Sequence, residues 1–160
     1  MQIINNFLPQ EIYQNIKDNI LSDHFPWFFN ENVLSDRKST YQFTHTFYVD
    51  QNAHSSFCEL LKPIMDILKP QNIVRVKANL NPQTEKIIET GLHTDSSNDK
   101  LKSAVFFLNT CDGYCKINNK KFFSQDNTML IFNSNIDHTG STTTNKKRRV
   151  LINIIYSPSL

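Results

Sequence analysis

Gly91-Leu92-His93-Thr94-Asp95 sets an imidazole and a carboxylate two residues apart, directly after a glycine that ends the segment before it. If Leu92 to Asp95 runs as a strand end, side chains at i and i+2 project from one face, and His93 and Asp95 can grip one metal ion from the same side. The third ligand must then come from a distant part of the chain. The candidate is His138, in Asn135-Ile136-Asp137-His138-Thr139-Gly140. Two imidazoles and one carboxylate on one face of an octahedron leave three positions open for other ligands. Taken alone, His-x-Asp is a short motif that also suits a polar surface turn, so its reading depends on what surrounds it.

Downstream, the chain supplies the surroundings. His138 follows His93 by 45 residues, room for four or five strands that bring the chain back beside the first ligands. Thr128 to Ser134 reads as a strand leading into the loop that carries His138. Arg149 heads the apolar run Val150 to Tyr156, and on a strand Arg149, Leu151, Asn153 and Ile155 share a face. A guanidinium in a barrel mouth needs a partner, because a buried unpaired charge is costly. A dicarboxylate with one end on the metal and the other on the Arg149 fork would supply it. Arg148 faces the other way and continues the basic run from Lys146, so a solvated position is expected for it.

The remaining chain is read outward from this point. Pro9 opens a helix with Ile12, Ile16, Ile20 and Leu21 on its core face. Pro26 stops helix within the aromatic corner Phe25 to Phe29. Thr40 to Val49 reads as a strand with Tyr41, Phe43, His45, Phe47 and Val49 on one face, His45 being a core histidine satisfied by a hydrogen bond. A second helix is expected over Ala53 to Lys69, capped by Ser55 or Ser56 and kinked at Pro63. From Ile73 the chain turns to strands. Ile73 to Leu80 alternates Val74, Val76, Ala78 and Leu80 against Arg75, Lys77 and Asn79. Pro82 to Glu89 is a polar connection. Leu101 to Asn109, Tyr114 to Ile117, Lys121 to Ser124, Thr128 to Phe132 and Arg149 to Tyr156 follow as strands, broken by Asp112-Gly113 and by Asn-Asn and Asp-Asn pairs. Helices followed by about eight short strands predict a mainly β protein, a jelly-roll with two flanking N-terminal α-helices and no alternating βαβ units.

Composition bounds the rest. A chain of 160 residues is one domain, 1–160, with residues 1–72 as helical support plus one strand and 73–156 as the core that carries the metal site. Three glycines exclude collagen-like and P-loop readings, and a net charge of +2 gives no electrostatic case for a nucleic-acid partner. The abundance of asparagine reads as compositional bias without functional content. Cys58, Cys111 and Cys115 do not form a disulfide framework. With no basic, apolar leader and no run of 18 apolar residues, neither secretion nor a membrane is expected, and a cytoplasmic location follows.

With these residues assembled, the chain resembles the 2-oxoglutarate/Fe(II)-dependent oxygenases, most closely the short prolyl-hydroxylase-like type found in bacteria and phages. The resemblance rests on the order His93-x-Asp95, His138, Arg149 and runs from about Arg75 to Tyr156. It implies a double-stranded β-helix, with His93, Asp95 and His138 as catalytic Fe(II) ligands and Arg149 as the anchor for the distal carboxylate of 2-oxoglutarate. It further implies O2 at the remaining position, decarboxylation to succinate and CO2, and hydroxylation of a prime substrate that the sequence does not identify. Asn79 and Asn153 suit polar pocket positions. One departure stands out: related enzymes often carry a Tyr where this chain has Phe107, so either Thr139, Asn153 or a water makes up for its hydroxyl at the co-substrate, or co-substrate binding is weaker.

Three other readings compete. A non-catalytic jelly-roll binding protein would keep the metal site incidentally, but decay should first have cost it a ligand. A nucleic-acid-directed oxygenase would use Lys146 to Arg149 as a phosphate grip, but the run is short and lacks interleaved aromatic residues. A cupin-type metalloenzyme would want a His-x-His pair and a Glu.

Overall fold

The computed structural model describes residues 1–33 and 40–159, so residues 34–39 and 160 of the expected single domain lie outside the described residues. The elements run β1 (Gln2–Asn5), α1 (Gln10–Ile20), β2 (Phe28–Asn30), β3 (Gln42–Val49), β4 (Asn52–Ala53), a 3-10 turn (Cys58–Leu61), α2 (Lys62–Leu68), β5 (Pro70–Pro82), β6 (Lys102–Phe107), β7 (Tyr114–Ile117), β8 (Lys120–Phe123), β9 (Thr128–Asn133), β10 (His138–Gly140) and β11 (Arg148–Pro158). Two antiparallel sheets form. The larger has the order β1-β9-β6-β11-β5-β3-β2 with β4 beside β3, and the smaller the order β10-β7-β8. Residues 83–93 extend the smaller sheet through bridges Glu89 to Ser141 and His93 to His138. The stretch expected as a polar connection, Pro82 to Glu89, is tied by isolated bridges to Thr143 and Ser141 and leads into residues 90–93, which lie along the free side of β10.

The central strands are buried on both faces, which explains why β11 reads as a nearly unbroken apolar run. Its alternate residues serve two cores. Val150, Ile152, Ile154 and Tyr156, with Ala104 and Phe106 of β6, meet Tyr13, Ile16 and Ile20 of α1 and Leu61 and Ile64 from the second helical segment. Leu151, Val105 and Phe107 face the other way, onto Cys115, Ile117 and Phe122 of the smaller sheet. The helices therefore cover the outside of the larger sheet, and the second core fills the space between the sheets, as in a jelly-roll.

Several local expectations shift. Ile12 is 38% exposed, and Tyr13 takes its place on the core face of α1, with its hydroxyl donating to the Leu108 carbonyl at 2.9 Å. An aromatic side chain with one polar end can bury its ring and still satisfy that end. The second helix begins only at Lys62, because Pro63 sits in the first turn and starts the helix instead of kinking it. On β3, Gln42 and Thr44 are buried on one face and His45 and Phe47 on the other, while Tyr41 and Val49 are exposed, Val49 lying beyond an irregularity between Thr46 and Tyr48. His45 is a satisfied core histidine, bonded to the Pro26 carbonyl at 2.8 Å and the Ser55 hydroxyl at 2.7 Å. Phe25 is buried in the aromatic corner, whereas Phe28 and Phe29 are exposed on the edge strand β2. No helix among the described residues is long and apolar enough to cross a membrane.

The asparagines are structural in part, which corrects their reading as bias alone. Asn118 (φ 49°) and Asn119 (φ 62°) form the two-residue turn between β7 and β8, and Asn6 and Asn127 are also left-handed. A tight hairpin requires positive φ at both central residues. With three glycines in the chain, asparagine is the side chain that tolerates it best. Asn127 does more. Its Oδ1 accepts from the Leu8 amide at 3.0 Å, its Nδ2 donates to the Leu8 carbonyl at 2.8 Å, and its carbonyl accepts from the Phe7 amide at 2.9 Å. It ties the start of the chain to the β8–β9 turn. Asn127→Ala should cost about 2–3 kcal/mol from two lost buried hydrogen bonds and left-handed strain. A thermal melt should show a midpoint about 5–10 °C lower; a fall under about 2 °C would contradict this account.

Candidate metal centre

Two strand segments far apart in sequence are held edge to edge at His93 and His138. The His93 amide donates to the His138 carbonyl at 3.0 Å, and the His138 amide donates to the His93 carbonyl at 2.9 Å. This reciprocal pair sets the two rings side by side, their centroids 4.4 Å apart. Each ring directs Nδ1 to a backbone carbonyl, of Gly91 at 3.1 Å for His93 and of Ile136 at 3.0 Å for His138. A ring that donates through Nδ1 presents Nε2 as its lone pair, the tautomer a metal ligand needs.

Asp95 completes the group. Its amide is fixed to the Ser134 carbonyl at 3.0 Å, its side chain is 4% exposed, and its Oδ2 lies 3.6 Å from His138 Nε2. One ligand atom from each of His93, Asp95 and His138 lies within 4.8 Å of the others. Two imidazoles and a carboxylate are a donor set for a first-row divalent ion, so the residues present fit such an ion. Burial, and then the neighbouring His138, hold the His93 imidazole below the ordinary histidine range, which favours the neutral, ligating form.

Around the triad lies a cavity of about 290 Å³. Its walls come from the inward faces of β5 (Arg75, Lys77, Asn79, Asn81) and β11 (Arg149, Leu151, Asn153), as alternation predicts. Arg149 is 1% exposed. Its Nη1 donates to the Ser141 carbonyl at 3.2 Å, while Nε and Nη2 are buried without a hydrogen-bond partner. Burial works against its charge, and its guanidinium carbon lies 5.6 Å from the centre of the Phe107 ring. The ring that stands in place of a tyrosine thus lies under the cation, although it offers no hydroxyl. Gly113 makes room: a Cβ there would overlap Arg149 Cδ and lie 2.7 Å from the Thr142 carbonyl oxygen.

The other expected residues divide. Asn79 and Asn153 both line the cavity with an unpartnered Oδ1, and Asn153 Nδ2 lies 3.5 Å from Asp95 Oδ2. Thr139 does not line it; its hydroxyl donates to the Gly140 carbonyl at 3.1 Å, and the threonines on the cavity wall are Thr90 and Thr94. A parity argument explains the difference, since His138 and Gly140 occupy the inward positions of β10 and Thr139 falls between them. Arg148 is half-buried rather than fully solvated, with Nη2 3.4 Å from the Leu21 carbonyl at the end of α1.

Four residues at or beside the cavity were not singled out as site residues from the sequence. Ser103 donates to Asp95 Oδ2 at 2.6 Å and accepts from the Ser134 hydroxyl at 3.0 Å. The available signal was a serine on the same inward face as Val105 and Phe107 in an otherwise apolar strand. Arg75 places Nη2 3.6 Å from Asp95 Oδ1. Lys77 is held down to about 8 by burial and by Arg75, with Asp95 acting in the opposite direction. Cys115 also reaches the wall, and burial lifts its thiol to about 12.

No family model matches the chain, and no curated protein matches it. Solved structures do. A prolyl-4-hydroxylase from Pseudomonas putida aligns over 98% of this chain and 91% of its own, at 12% identity and a TM-score of 0.62. A prolyl hydroxylase from Trichoplax adhaerens, in complex with a peptide fragment of the hypoxia inducible factor oxygen degradation domain, covers 98% and 83% at 15% identity and a TM-score of 0.71. HygX from Streptomyces hygroscopicus, with nickel and 2-oxoglutarate bound, covers 99% and 82% at 13% identity and a TM-score of 0.65. Identities this low speak to architecture, and the architecture of this chain is the jelly-roll fold of the 2-oxoglutarate/Fe(II) oxygenases.

Proposed function

We propose that this protein is an Fe(II)- and 2-oxoglutarate-dependent dioxygenase that hydroxylates its substrate with release of succinate and CO2. The observation that carries the reading is Arg149. A fully buried guanidinium with two unpartnered N–H groups opens onto the same cavity as a His-Asp-His triad. A buried cation without a counter-charge is strongly unfavourable, and a carboxylate is the ligand its fork matches. A dicarboxylate that also chelates the metal joins the two features in one molecule. The nickel and 2-oxoglutarate held by the structurally similar HygX support this assignment. A non-catalytic binding protein would gain nothing from keeping these two demands side by side.

His93, Asp95 and His138 would hold Fe(II), which together with bound 2-oxoglutarate and O2 supplies the oxidising chemistry. Ser103 orients the Asp95 carboxylate, and the Gly91 and Ile136 carbonyls orient the rings. Arg149 takes the distal carboxylate, with Asn79 and Asn153 offering their amides along its length. Val105 and Leu151 line the cavity with apolar surface and keep water from the buried ion pair. Thr139, between the inward positions, is not given a co-substrate contact; Thr90 is placed to make one.

Two measurements test this reading. Arg149→Ala should raise the apparent 2-oxoglutarate constant by about 30-fold or more, because truncating one partner of a desolvated ion pair costs about 2–5 kcal/mol. Arg148→Ala, half-buried on the opposite face, should change it less than about threefold. The visible charge-transfer band that develops when 2-oxoglutarate is added anaerobically to the Fe(II) protein reads both, and the reverse ranking would remove Arg149 from its role. Separately, Ser103→Ala should weaken Co(II) binding about tenfold, the usual loss when a ligand's orienting hydrogen bond is removed. An unchanged Co(II) titration would show that Ser103 does not support the site.

A further inference from the structure

Arg149 is not the only cation in the cavity. Arg75 and Lys77 line it too, and Asp95 is the one carboxylate among its described lining residues. Register separates these cations from Arg149. Arg149 pairs with Asn81 across β11 and β5, whereas Asn153 pairs with Lys77 and Ile155 with Arg75. Lys77 and Arg75 therefore stand four and six residues along β5 from Asn81, about 13 and 20 Å at the strand rise. They flank the metal end, since Asn153 reaches Asp95 and Arg75 approaches it at 3.6 Å. A co-substrate anchored on Arg149 has spent its distal carboxylate at the other end.

The cations at the metal end are poorly matched. Lys77 makes no hydrogen bond or ion pair among the described residues, and Arg75 Nε is buried without a partner. With a divalent ion bound, Asp95 and a doubly charged co-substrate balance the ion and Arg149 between them, so the charges of Arg75 and Lys77 remain uncompensated beside the reacting centre. The cavity, about 290 Å³, is at the small end for ligand pockets.

We propose that Lys77 and Arg75 form an anion subsite, and that the prime substrate presents a carboxylate or phosphate oxyanion to it beside the metal. This rests on the oxygenase reading above. The test uses the full chain loaded with Mn(II) and N-oxalylglycine, the amide isostere that fills the 2-oxoglutarate position. Calorimetric titration at constant ionic strength with acetate, and separately with methyl phosphate, measures anion affinity in wild type, Lys77→Met and Arg75→Met. At least one anion should bind wild type and bind each variant about tenfold or more weakly, and the tighter of the two identifies the substrate's charged group. Lys77→Met should bind Mn(II) and N-oxalylglycine within about threefold of wild type, which shows the loss to be local. Absence of anion binding by loaded wild type, or equal affinity in wild type and Lys77→Met, overturns the subsite and leaves the oxygenase reading standing. Failure of wild type to bind Mn(II) with N-oxalylglycine overturns the oxygenase reading itself, and the subsite with it.

Discussion

The two backbone hydrogen bonds between His93 and His138 govern the architecture. Each histidine donates its amide to the other's carbonyl, so the chain between them must leave and return within one strand spacing. Strands β6 to β9 occupy that excursion, β6 and β9 in the larger sheet and β7 and β8 in the smaller. The bridge also removes freedom from the ligands before any ion arrives. Their rings are fixed by backbone, by neighbouring carbonyls and by the strand on which each sits, so little conformational entropy remains to be lost on binding. Asp95 is held by the same logic, through the Ser134 carbonyl and the Ser103 hydroxyl.

Holding Arg149 requires a second piece of construction at the opposite end of the cavity. The Ser141 carbonyl that accepts from Arg149 belongs to the loop 141–145, and Asp112 pins that loop. Its carboxylate accepts from the Thr143 hydroxyl at 2.7 Å, the Thr144 amide at 2.9 Å and the Thr144 hydroxyl. Burial alone would raise the Asp112 pKa, but the bonds from Thr144 and Thr143 outweigh it and hold the group down at about 2. The next residue, Gly113, is where the backbone passes too close to Arg149 for any side chain. The Asp-Gly pair expected only as a turn thus serves twice, as the anchor of one loop and as the clearance for the buried cation.

This contrast shows what a sequence carries. Alternation on β5 and β11 was legible because period two is a local rule: it put Asn79 on one face with Arg75 and Lys77, and Asn153 on one face with Arg149, and the resemblance then implied that these faces look into the site. His93-x-Asp95 was legible because ligand spacing on one strand is local as well. Less local features were not. The one-residue irregularity at Thr46–Tyr48, beyond which Val49 leaves the face of His45 and Phe47, is something periodicity has no means of announcing. The exchange of Ile12 for Tyr13 on α1 depends on the Leu108 carbonyl, 95 residues away. The left-handed asparagines were present in the composition, but their meaning appears only when each is set in its turn.

Polar satisfaction explains why these features gather in one place. Among the described residues, the buried side-chain atoms without a hydrogen-bond partner are Trp27 Nε1, Ser124 Oγ, and six on Arg75, Asn79, Asn81, Arg149 and Asn153. All six lie on walls of the one cavity beside the His-Asp-His triad. Elsewhere the chain follows the ordinary rule that buried polar groups are paired: Asn127 meets both ends of Leu8, Tyr13 meets Leu108, and His45 uses both ring nitrogens. Unmet donors and acceptors in a folded core weaken it, by about 1–3 kcal/mol each when wholly shielded from water. Apolar residues at Asn79, Asn81 and Asn153 would extend the core formed by Leu151 and Val105 and relieve that loss. That the chain instead turns three amides and two guanidinium groups into one cavity is a local conflict with folding. Such conflicts are expected where a site is shaped for a ligand rather than for stability. The ligand that resolves most of them offers acceptors to Arg149 and Arg75 and donors or a metal-ordered shell to the amides. An anionic molecule chelated to a divalent ion meets that description, and a neutral or cationic one does not.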